Sequence, residues 1–310
     1  MCDQIIDAHS IQRSKSLRQI CDQVHKVQTF YAGRLDNDGR LTQQPKGWRE
    51  ASTFTGFCSK HDNETFAPIE KVEFTGTPEQ GFLLAYRALC HEIYQKEGAR
   101  NAENLIADLP ISVPPEMMEW MQQSVDEALR ILEPATQKAL IDQSRLKSTM
   151  DAQLLSKTYT GWSGATISFT GDLCLTSVGV ITPRLDLVGN VLQSLDEKSD
   201  LESLMVSLIS TDNGGTLSFF WQTNQSAPRR FVESLLARPV DELPSYIVQV
   251  IFAHLENTFF SSSWWNSLND DDRQHLEGLA SITNPYFAPI EFSPSTFVPW
   301  QVTNVHSFQI

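Results

Sequence analysis

The sequence has no run of about 20 apolar residues, the length that spans a bilayer, so no transmembrane helix and no membrane partner are expected. It begins Met-Cys-Asp-Gln-Ile-Ile-Asp-Ala-His, with neither a basic start nor a long apolar stretch. A secretory signal is therefore not expected, and a cytoplasmic location is. Cysteine is scarce and odd in number: of five, Cys2, Cys21, Cys58 and Cys90 fall in the first 90 positions. Reduced thiols or a metal site fit that distribution better than a disulfide framework. Basic residues are outnumbered, 24 Lys and Arg against 38 Asp and Glu, and the net charge of -14 opposes a phosphate backbone on average. No Gly-x-Gly-x-x-Gly, phosphate loop or Gly-x-Ser-x-Gly elbow occurs, which removes the usual signals of dinucleotide folds, nucleotide-triphosphatases and serine hydrolases.

What remains is ordinary globular composition, 41% hydrophobic and 20% charged over 310 residues, enough for a sizeable core in one large domain or two unequal ones. The charge is uneven. Residues 13–49 hold Arg13, Lys15, Arg18, Lys26, Arg34, Arg40, Lys46 and Arg49 against only Asp22, Asp36 and Asp38, a locally basic segment in an acidic chain.

The apolar pair Ile5-Ile6 predicts a short strand ending at His9. Ser14 can cap a helix whose Leu17, Ile20, Cys21 and Val24 share one face and which ends near Val27. A strand over 27–32 and a turn at Asp36-Asn37-Asp38-Gly39 follow. Pro68 limits any helix begun at Asp62 to about two turns. Thr77-Pro78-Glu79-Gln80 places a cap, a first-turn proline and a reciprocal glutamine, opening a helix that Gly98 would end. Residues 114–155 read as a helical hairpin, Met117, Met121, Val125 and Leu129 lining its first arm, and Leu140, Ile141 and Leu146 lying on its second beyond Pro134. After residue 157 the period changes to two: 166–169 with 173–181, and 204–210 with 216–221, predict two hairpins of an antiparallel sheet. Helices return over 228–237 and 243–260, then a short one from the acidic cap at Asn269 to Ala280, before an irregular Pro-containing tail. Trp264 and Trp265, beside Phe259 and Phe260, are expected to fill the core.

Ligand chemistry concentrates in residues 56–70, where Cys58 and His61 sit three apart beside Asp62 and Glu64. A thiolate and an imidazole at that spacing reach one borderline-soft divalent ion from a tight turn, which is half of a tetrahedral zinc site. Cys2 and His9 are the candidates for the other half. The plain alternative makes Cys58 a small buried residue and His61 a helix-cap residue. Cys90 and His91, adjacent on one helix, point about 100° apart and do not converge on an ion.

Ile-Ile-Asp-Ala-His-Ser-Ile-Gln at 5–12, followed by the distant Cys-x-x-His-Asp at 58–62, resembles a diverged HNH-type treble-clef nuclease over the first 70 residues. The resemblance implies that His9 activates water as general base and that Asp7 orients His9 or touches the metal. It implies ligands among Cys2, Cys58, His61 and Asp62 for a structural Zn²⁺ and a catalytic Mg²⁺ or Mn²⁺. The family's Cys-x-x-Cys knuckle is absent, Cys2 being the one candidate for its remnant, and the motif asparagine is not assignable, Asn37 and Asn63 being the candidates. A second enzyme reading takes His61-Asp62 as the doublet of an HD-type phosphohydrolase, with His25 and Asp126; Gly56 and Pro68 place that doublet outside the apolar helix such enzymes use.

The fold expected is α+β: a treble-clef-like, metal-supported segment over 1–75, a helical connector over 76–155, and an antiparallel sheet covered by helices over 156–310. Two functions follow. One is a metal-dependent nuclease, or a domain derived from one, in an intracellular bacterial-type system such as defence, meeting nucleic acid through its basic N-terminal segment. The other is a non-enzymatic interaction protein whose zinc site is structural and whose acidic C-terminal domain meets a protein partner.

Overall fold

The computed structural model describes residues 4–35, 41–107, 137–194, 199–281 and 289–310, with the side chains of 31–35 and 99–107 left aside. Its frame is an eight-stranded sheet in the order β10-β5-β8-β7-β6-β9-β2-β3, every neighbouring pair antiparallel. The strands are β2 (Lys26–Leu35), β3 (Leu41–Gly47), β5 (Trp162–Thr170), β6 (Leu175–Ile181), β7 (Leu204–Thr211), β8 (Gly214–Gln222), β9 (Thr258–Phe260) and β10 (Gln301–Gln309). A separate two-stranded ribbon pairs β1 (Ile5–His9) with β4 (Thr53–Cys58).

The sheet centre is dictated by residue choice. All of β6, and all but the last residue of β7 and of β8, are buried, so both faces are covered and the strands read as continuous rather than alternating apolar runs. Helix α4 (Pro78–Ala107) lies across β6, β7 and β8, while α6 (Ser226–Leu236) packs on β8 and on α7 (Leu243–His254). The hydroxyls on these strands are paired within the core, as in Ser177 with Thr258 at 2.8 Å and Thr176 with the Leu208 carbonyl at 2.6 Å.

The mixed architecture with its large antiparallel sheet matches the sequence reading; several connections differ. The hairpin β7-β8 forms through Asp212 and Asn213, with Gly214 at φ +152°. The expected β5-β6 hairpin does not: β5 pairs with β8, and β6 lies two strands further on, which gives the Greek-key order β6-β7-β8-β5. The expected helix over 14–27 stops early. Its two helical segments, Arg13–Leu17 and Arg18–Ile20 (together α1), end where the Asp22 carboxylate accepts the Val24 and Lys26 amides at 3.0 and 2.7 Å and His25 takes φ +61°. The capping box at Thr77 is present, with Gln80 N–H donating to Thr77 Oγ1 at 3.3 Å and Thr77 N–H to Gln80 Oε1 at 3.4 Å. Gly98 does not end α4, because a lone glycine in a helix only weakens it and the next proline in the sequence is Pro110.

A helix over 137–156 (α5) is present, and Met117 to Leu129 lie outside the described residues, as does the turn at 36–39. The helix begun at 243 gives way at Leu255 to β9. Helices α8 (Ser262–Ser267) and α9 (Asp270–Ser281) follow, Trp264 and Trp265 both buried. The tail is anchored, not loose. Trp264 Nε1 donates to the Phe297 carbonyl at 2.8 Å and Trp300 Nε1 to that of Asp172 at 2.9 Å, leading into β10 along the whole of β5. Strands β2 and β3 join this sheet through β9, so they share one sheet with the strands that follow residue 156.

Candidate functional site

Ribbon β1-β4 leads directly into α2 (Ser59–Thr65) and α3 (Ala67–Glu70), and α4 packs behind them. Gly56 lets Phe54 fold back over the ribbon, since a Cβ there would lie 2.4 Å from the Phe54 ring. Pro68 sits in the first turn of α3, where its missing N–H is harmless.

The ribbon register decides which candidate residues meet. Ile5 lies opposite Cys58 and His9 opposite Thr53, so His9 and Cys58 are held at opposite ends, roughly 13 Å of strand apart. Cys58 and His61 do come together: Cys58 Sγ caps α2 by accepting the His61 amide at 3.5 Å and lies 3.4 Å from His61 Nδ1. Asp62 Oδ1 lies 3.6 Å from Arg87 Nη2. Asp7 is exposed in the bulge of β1, and no hydrogen bond or ion pair joins it to His9 among the described residues. Cys2 lies outside the described residues. No group of three or more His, Cys, Asp or Glu side chains able to hold a metal ion gathers among the described residues. Among the described residues Cys58 and His61 bring two donors of a tetrahedral zinc centre together, and His9, the other described candidate, is not beside them.

The same region holds a cluster the sequence reading missed. Arg87 on α4 is 2% exposed, and its Nη2 lies 2.8 Å from Glu70 Oε1 and 3.6 Å from Asp62 Oδ1. Its guanidinium stacks over Phe66 at 3.9 Å. Gln12 Nε2 donates to the Glu70 carbonyl at 2.8 Å, tying the exit of β1 to α3. The contacts are ionic more than directional, because Arg87 Nε and Nη2 and Asp62 Oδ1 have no aligned hydrogen-bond partner. Burial raises the Asp62 pKa; Arg87 opposes that shift and Glu70 adds to it.

His9 borders this cluster. Burial, with help from Arg13 and Arg87, lowers its pKa to about 4, against the opposing pull of the Arg49 backbone and of Glu70. The imidazole is neutral at neutral pH, and its Nε2 is buried without a partner among the described residues. His91, 3% exposed, is likewise lowered to about 4 by burial; it lies edge-on to Phe54 and 3.2 Å from Gln95 Nε2. Cys90 is buried and its thiol is pushed up to about 12, chiefly by burial, which makes it a core residue and not a nucleophile.

The missed signal was legible. Arg87 is the lone cation in the apolar stretch Phe82-Leu83-Leu84-Ala85-Tyr86-Arg87-Ala88-Leu89, and a buried helix position with a guanidinium demands carboxylates from elsewhere in the chain. No helix among the described residues is long and apolar enough to cross a membrane. No family model, no curated protein and no solved structure matches this chain.

Proposed function

We propose that this chain is a non-catalytic binding protein, and that the residues resembling a hydrolytic centre brace its N-terminal region. The observation that carries this reading is Arg87. Its guanidinium engages Asp62, the carboxylate that would have stood by a catalytic metal, together with Glu70, and a salt bridge buried to this degree is a structural element. The separation of His9 from the Cys58-His61 pair along the ribbon supports the same reading, since a general base and a metal must share one substrate.

A second reading, metal-dependent phosphodiester hydrolysis, is favoured by one feature. The neutral His9 imidazole with an unengaged Nε2 is in the protonation state a general base needs. Supercoiled plasmid incubated with Mg²⁺ or Mn²⁺ and with the parent or a His9→Ala variant separates the two. The binding-protein reading expects no nicking by either. Nicking by the parent that disappears in His9→Ala would establish the nuclease. Metal analysis of the same preparation is expected to find zinc well below one ion per chain.

A further inference from the structure

The surface around Trp48 departs from the acidic character of the chain. Strand register places Lys26 opposite Gly47 and Val27 opposite Lys46, which gathers Lys26, Lys46, Trp48 and Arg49 at one end of the β2-β3 pair. The Trp48 amide donates to the His25 carbonyl at 3.0 Å, and the two rings stack with centroids 5.4 Å apart and planes 25° from parallel. The Arg13 guanidinium lies 5.9 Å from the Trp48 ring centre. His25 holds a left-handed backbone, φ +61°, uncommon for a residue with a side chain and here set by a local constraint. The constraint is Asp22, whose carboxylate and carbonyl together accept the amides of Val24, His25 and Lys26. The turn lays the imidazole on the indole, and the exposed His25 leaves the outer side of the stack open to solvent.

Charge adds a second, independent feature. Arg13, Arg18, Lys26 and Arg49 are exposed and form no ion pair among the described residues. Of the carboxylates in this segment, Asp22 is committed to the turn amides and Glu50 follows Arg49. Exposed cations without carboxylate partners, set around an open ring stack, suit a polyanion with flat aromatic groups.

We propose that this surface binds a single-stranded nucleic acid, its phosphates meeting Arg13, Lys26 and Arg49 and one base stacking on the His25-Trp48 pair. An acidic peptide would use the cations and leave the rings idle; a duplex keeps its bases from the stack. The inference rests on the non-catalytic reading only in that the strand is held and not cut.

Anisotropy of a fluorescein-labelled oligothymidylate of about 20 nucleotides, titrated with the full chain in chelator at several salt concentrations, tests it. Saturable binding is expected. Arg13→Gln combined with Arg49→Gln weakens it at least about tenfold at low salt and flattens the log-affinity slope against log salt by roughly 1.4, the contribution of two phosphate contacts. His25→Gly, which keeps the left-handed backbone free of strain, weakens binding about fivefold or more and leaves the slope unchanged. No binding by the parent, equal competition by polyglutamate or by a duplex of the same length, or an unchanged affinity in His25→Gly would overturn the proposal. Repeating the incubation with Mg²⁺ and sizing the oligonucleotide keeps the two readings apart: cleavage overturns the non-catalytic reading and leaves the surface standing, whereas absent binding does the reverse.

Discussion

Arg87 and Arg13 each sit over an aromatic ring, and the difference between them separates a buried structural cation from a solvated one. Arg87 lies 3.9 Å from the Phe66 ring centre, is almost fully buried, and faces Glu70 and Asp62. Arg13 lies 5.9 Å from that of Trp48, is exposed, and has no carboxylate partner among the described residues. A desolvated guanidinium can be tolerated only with opposite charge beside it, so the first pairing is fixed by folding. A solvated one needs no partner to fold, and its charge stays available to a ligand.

The largest expected effect breaks the buried side of this comparison. Arg87→Ala leaves two carboxylates without their cation and a hole beside Phe66, and is expected to destabilise the fold by roughly 3–5 kcal/mol in urea denaturation. Arg87→Met, which keeps the volume, should recover part of that loss, because the uncompensated charges are then the only defect.

Acid is the next probe. His91 has its pKa lowered to about 4 by burial, against an ordinary 6.5, so the unfolded chain binds the extra proton between those values. Its contribution is complete above about pH 6.5, shrinks as pH falls toward 4, and amounts to at most about 3 kcal/mol. His9 acts in the same direction. Urea midpoints measured from pH 7 to pH 4 should fall through this window, and His91→Phe should flatten the fall.

The exposed side predicts a smaller change in stability. Arg13→Gln should alter it by no more than about 0.5 kcal/mol, as surface substitutions do. Adding a chelator should leave the melting temperature of the parent where it was, since the described donors at Cys58 and His61 do not complete a metal site.

How much of this could be read from the sequence follows the range of the interactions involved. The β7-β8 hairpin was legible because Asp212-Asn213-Gly214 is a local turn signal between two apolar runs. The β5-β6 connection was misread because the same local signal at Thr170-Gly171-Asp172 competes with burial of β6 on both faces, which draws that strand to the sheet centre. The end of α1 was missed because the apolar spacing of Leu17, Ile20, Cys21 and Val24 says helix, while a single Asp22 side chain captures the next amides. Strand β10 was hidden in a tail whose prolines precede it.

In the site, the closeness of Cys58 and His61 followed from their spacing, but their separation from His9 is a matter of ribbon register, which short motifs do not encode. The surface around Trp48 was half visible. The excess of cations over 13–49 was plain, whereas the stack of His25 on Trp48 depends on a left-handed residue that the sequence marks only by the preceding Asp22.

Oligothymidylate affinity measured side by side for Arg13→Gln and Arg87→Met, at a temperature where circular dichroism reports both as folded, tests the division between the two arginines most directly. The expected result is weakened binding in Arg13→Gln at unchanged stability, and parental affinity in Arg87→Met despite reduced stability. Parental affinity in Arg13→Gln together with lost binding in folded Arg87→Met would contradict it.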